Sequence, residues 1–81
     1  MSYIFSFSSR NGALKFHDAL GANGLASTLV NTPLNGNGCG LSVKCDDYAS
    51  CRGVLMRGRY QGFLAAYGFD GEKYTAIFDP N

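Results

Sequence analysis

The chain has no tryptophan, one histidine, two prolines and three cysteines, and each scarcity narrows what it does. Three cysteines, an odd number with no secretory signal ahead of them, argue against a disulfide framework and predict reduced thiols in a cytoplasmic setting, with at least one thiol free. Cys39, Cys45 and Cys51 are each separated by five residues, without the short C-x2-C knuckle of structural zinc sites. Adding His17 as a fourth ligand does not repair the spacing, so no metal is expected. Neither sign of charge dominates. Seven Lys and Arg against six Asp and Glu leave a formal net charge of +1, which lacks the electrostatic footprint of a nucleic-acid binder. No apolar run approaches the roughly 20 residues of a membrane span, and Met1-Ser2-Tyr3 passes straight into a strand with no basic n-region. Repeats, linkers and low-complexity tracts are absent.

What the chain does have is apolar material: 46% hydrophobic residues, with five tyrosines and six phenylalanines in 81 residues. That is enough for one small domain over residues 1–81, near the lower limit at which a core holds without staples. Tyr3-Ile4-Phe5-Ser6-Phe7-Ser8 alternates as a half-buried strand, with Tyr3, Phe5 and Phe7 on one face and Ile4, Ser6 and Ser8 on the other. Ser8 or Ser9 caps a helix from Arg10 to about Ala22, whose apolar stripe is Ala13, Phe16, His17 and Leu20. A second strand runs from Leu25 to about Asn31, and Pro33 then bars ladder pairing. Leu41, Val43 and Cys45 share one face of a third strand. Asp46 or Asp47 caps a second helix with a stripe of Tyr48, Cys51, Val54 and Leu55. Phe63–Tyr67 and Tyr74–Phe78 are strands joined by an Asp70-Gly71 turn. This order predicts an α+β fold, the ferredoxin-like split βαβ (β-α-β-β-α-β) with an extra C-terminal strand.

One stretch stands outside these periodicities: Asn35-Gly36-Asn37-Gly38-Cys39-Gly40. Gly38 and Gly40 flank the thiol and permit close approach of a partner to the backbone. The run leads into a strand rather than a helix and lacks the Walker Lys-Ser/Thr pair, so it is not a phosphate loop. Cys45 and Cys51 continue apolar stripes and read as small buried hydrophobes, whereas Cys39 reads as the functional thiol. In the expected topology the Cys39 loop lies beside Ser8, Ser9 and Arg10 at a helix N-terminus and near Arg57, Arg59 and Tyr60. Both features favour thiolate, and a depressed Cys39 pKa is expected. His17 falls on the apolar face of the helix, away from the loop, and does not form a Cys-His pair. No C-x-x-C pair points to a dithiol oxidoreductase. Ile4, Leu64 and Ile77 are expected on the sheet face away from the helices, where they favour a homodimer.

Tyr3-Ile4-Phe5-Ser6-Phe7-Ser8-Ser9-Arg10, Ala13-Leu14-Lys15, Asn31-Thr32-Pro33, Gly38-Cys39-Gly40-Leu41-Ser42-Val43-Lys44 and Gly62-Phe63 together resemble the Se/S carrier protein-like family, short bacterial proteins long catalogued as a domain of unknown function. The resemblance runs from about residue 3 to residue 69, and Cys-Gly-Leu-Ser after a proline loop is its most specific element. Leu34 stands where members often have a basic residue, and His17 where they often have an acidic one. The resemblance implies a carrier rather than a turnover enzyme. Cys39 accepts sulfur or selenium as a persulfide or selenosulfide from a cysteine desulfurase or another sulfur or selenium donor, and passes it to an acceptor enzyme. Gly38 and Gly40 give access, Ser9 and Arg10 stabilise the anion, and no cofactor is implied. Two other readings stay open: a non-catalytic protein-interaction or small-ligand-binding module, and a thiol redox sensor.

Overall fold

The computed structural model describes residues 2–31 and 41–78. In order they form β1 (Ser2–Phe7), α1 (Arg10–Ala22), β2 (Ser27–Asn31), β3 (Leu41–Cys45), α2 (Tyr48–Arg57), β4 (Phe63–Phe69) and β5 (Tyr74–Phe78). The five strands make one antiparallel sheet in the order β2-β3-β1-β4-β5. The molecule is a small α+β fold with two helices on one face of that sheet.

Both helices start on a side chain that satisfies an otherwise orphaned N–H. The Ser9 hydroxyl accepts from the Gly12 amide at 3.3 Å, and the Asp47 carboxylate accepts from the Ser50 amide at 3.2 Å. Gly12 has a second task. A Cβ there would collide with the Gln61 carbonyl oxygen, so the missing side chain is what lets the segment after α2 lie across the first turn of α1. Gly62 completes this crossing: it sits at φ +78°, close against the Ser9 backbone, while its carbonyl accepts from the Ser8 amide at 2.7 Å.

The register assigns the core. Leu29, Val43, Phe5 and Ala66 lie in one row across the sheet under the helices, and Ala13, Phe16 and Leu20 of α1 with Cys51, Val54 and Leu55 of α2 close over them. Phe5 is the hub, its ring 5.1 Å from that of Phe16, 5.8 Å from Tyr48 and 6.3 Å from Phe63.

Two sequence expectations are corrected. The first is that β1 is half-buried: every residue from Ile4 to Phe7 is buried. β1 is the middle of five strands, and Ser6 on the face away from the helices is flanked by Ser42 and Ala65, both buried as well. The second concerns Ile4 alone, since Leu64 and Ile77 are exposed as expected. Ile4 is only 4% exposed, while Leu64 and Ile77 are each 42% exposed. The β1–β4 register shifts between Ser6 and Phe7, leaving Leu64 unpaired, and the β4–β5 register shifts between Ala66 and Tyr67, leaving Ile77 unpaired.

Candidate functional site

Cys39, Gly38 and Gly40, with the depressed thiol pKa expected there, lie outside the described residues. The strands on either side of them are described, and they locate the ends of the segment. Asn31 and Leu41 are register partners on neighbouring strands, so segment 32–40 leaves and rejoins the sheet at points roughly 5 Å apart. Leu41 also pairs with Phe7, the last residue of β1 before Ser8, Ser9 and Arg10. The fold therefore anchors the cysteine segment at the sheet end where α1 begins.

At that end Ser9 accepts from the Gly12 amide, and a hydroxyl that accepts one hydrogen bond keeps its own proton to donate. Arg10 is exposed at the first position of α1, and no acidic residue occupies the first turn. A cation at the positive end of a helix dipole works against the helix itself, so helix stability does not explain Arg10; an anion nearby would offset the repulsion.

Of the other groups expected near the segment, Arg57 is placed differently, while Arg59 and Tyr60 lead directly into Gln61 and Gly62, which cross the first turn of α1. Arg57 turns back along α2, its Nη1 within 3.6 Å of where a Gly53 Cβ would stand. There it lines a groove of about 270 Å³ with Asn23, Leu25 and Ser50, beyond the C-terminal end of α1. Tyr60 packs edge-on against Phe16 at 5.3 Å, and Arg59 is exposed. His17 is part-buried and its Nδ1 lies 2.6 Å from the Ser27 hydroxyl. Ser27 pairs with Cys45 at the opposite end of β3 from Leu41, which puts His17 at the far end of the sheet from the cysteine segment's anchor points.

Cys45 and Cys51 are free and buried, 3% and 1% exposed, as their stripes predict. Burial pushes both thiols up, Cys45 far above the ordinary range. Both side chains belong to one buried cluster. Each thiol is among the causes of the other's shift. The stripes alone did not disclose this meeting. Its one sequence signal is the Asp47 cap, which fixes how the chain turns between Cys45 and Cys51. Among the described residues no three His, Cys, Asp or Glu side chains are grouped to hold a metal ion, and no helix is long and apolar enough to cross a membrane.

Comparison of the chain with protein-family models, curated proteins and solved structures returns no match.

Proposed function

We propose that this protein is a sulfur or selenium carrier on a ferredoxin-like split βαβ core, with Cys39 as the acceptor thiol. Support for the architecture comes from the first four strands. Their order β2-β3-β1-β4, with α1 linking β1 to β2 and α2 linking β3 to β4, interleaves two β-α-β units, and β5 extends the sheet beyond β4.

The observation that carries the functional reading is the pairing of Asn31 with Leu41 and of Leu41 with Phe7, which ties the ends of the Cys39 segment to the side of the sheet holding Ser9 and Arg10. Cys45 and Cys51 are buried with raised pKa and are poor nucleophiles in the folded state, so sulfur transfer falls to Cys39. In the loading step the Cys39 thiolate attacks the outer sulfur of a donor persulfide. An S–S bond forms to Cys39 as the donor's S–S bond breaks, and the donor leaves as a thiolate that takes up a proton. No net oxidation occurs. The Ser9 hydroxyl and the Arg10 guanidinium are suited to stabilise the anionic persulfide, and delivery reverses the step onto an acceptor enzyme.

Intact mass spectrometry after incubation with a cysteine desulfurase and cysteine, with selenocysteine replacing cysteine in a parallel reaction, tests this. Wild type should gain one sulfur or selenium that reductant removes, and Cys39→Ser should gain none. Labelling spread equally over Cys45 and Cys51, or no labelling, would favour the interaction module instead. Binding of a partner would then survive Cys39→Ser.

A further inference from the structure

Two thiols that the carrier chemistry does not use meet in the core. Cys45 is the last residue of β3 and pairs with Tyr3 and Ser27. The chain then turns through Asp46 and the Asp47 cap, and Cys51 closes the first hydrogen-bonded turn of α2, its amide donating to the Asp47 carbonyl at 3.0 Å. That turn sets Cys51 down over the end of β3, inside the same buried cluster as Cys45. The two thiols are neighbours in that cluster, near enough that each shifts the other's titration.

A single apolar residue at either position would fill space as well as a cysteine. The pairing of the two sulfurs adds a chemistry that neither has alone, and no third ligand among the described residues turns the pair into a metal site.

We propose that Cys45 and Cys51 are a redox modification site, closing to an intramolecular disulfide on reaction with a hydroperoxide. Hydrogen peroxide oxidises the Cys51 thiol to a sulfenic acid and releases one water. The Cys45 sulfur then displaces the sulfenic oxygen as a second water, forming the S–S bond. Two thiols lose two electrons and two protons, and one peroxide is reduced to two waters. Because both sulfurs are buried, the oxidant enters when the first turn of α2 opens, so the pair reacts more slowly than an exposed thiol. The sulfurs then close to the roughly 2.05 Å of a disulfide. The assignment stands whether or not Cys39 carries sulfur.

The sequence makes the test direct. Cleavage after Lys44 and Arg52 releases a peptide, residues 45–52, that holds both cysteines, while Cys39 falls in residues 16–44. Folded wild type and Cys39→Ser are treated with hydrogen peroxide, denatured, alkylated with iodoacetamide and digested. The expected result in both proteins is a 45–52 peptide lighter by two hydrogens, with both alkylation sites lost, and with both restored when reductant precedes alkylation. A 45–52 peptide alkylated twice, one bearing added oxygen without the cross-link, or one joined to residues 16–44 would overturn the proposal.

Discussion

Gly12 and Gly53 are both helical glycines, and their surroundings give them opposite predicted effects. At Gly53 an added methyl meets only the far end of Arg57 at 3.6 Å. Gly53→Ala should therefore stabilise the protein by roughly 0.5–1 kcal/mol, the usual gain from removing glycine's backbone freedom in a helix. At Gly12 the same methyl runs into the Gln61 backbone, which cannot rotate aside as a side chain would. Gly12→Ala should destabilise by about 1–3 kcal/mol, the cost of overpacking. Urea denaturation of the two variants checks the pair. Equal effects would mean that the segment after α2 yields freely and does not hold α1 in place.

At the scale of elements, α2 depends on a titratable cap. The Asp47 carboxylate accepts from the Ser50 amide at 3.2 Å and from the Ser50 hydroxyl at 2.8 Å, and these bonds hold its pKa below the ordinary carboxylate value. A group with a depressed folded pKa contributes stability above its unfolded pKa and loses it as pH falls through the folded value. Asp47→Ala should thus be less stable than wild type at neutral pH, and the gap should narrow as pH drops from about 4, near the unfolded Asp value, toward 2. Thermal melts across that range follow the gap; a constant difference would mean that the charged form of Asp47 adds nothing. The turn between β4 and β5 uses the same chemistry, since Asp70 accepts from the Glu72 and Lys73 amides at 2.9 and 3.1 Å and Gly71 takes the positive φ of 101°.

For the molecule as a whole, Phe5 is the point through which the layers meet, touching the rings of Phe16, Tyr48 and Phe63 from α1, α2 and β4. A fully buried phenylalanine cut back to alanine costs about 3–5 kcal/mol, a large part of the roughly 5–15 kcal/mol that folds a small domain. Phe5→Ala should abolish a cooperative thermal transition or lower its midpoint severely, whereas Phe5→Leu should keep a folded core. Retention of a sharp wild-type-like melt by Phe5→Ala would show that the two helices dock without it.

Local signals were strong enough to determine the elements from sequence alone. The Ser9 and Asp47 caps, the alternation from Tyr3 to Phe7, the apolar stripes of both helices and the Asp70-Gly71 turn are short-range physics, and each element formed where its signal stood. The same holds for the burial of Cys45 and Cys51, which stripe periodicity already implied. What the tertiary structure decided is set by contacts distant in the chain. Alternation alone could not tell a half-covered strand from a central one, and only the placement of β3 and β4 on either side of β1 buried Ile4 and Ser6. Pairing between strands, not the residues of one strand, set the bulges that leave Leu64 and Ile77 without register partners in the β1–β4 and β4–β5 ladders. The crossing at Gly12 needed Gln61, which is far away in sequence. The candidate site divides in the same way. The cysteine between two glycines is visible in the sequence, but only strand pairing brought the ends of its segment to Phe7 and the start of α1, and only docking of α2 on the sheet brought the other two thiols together.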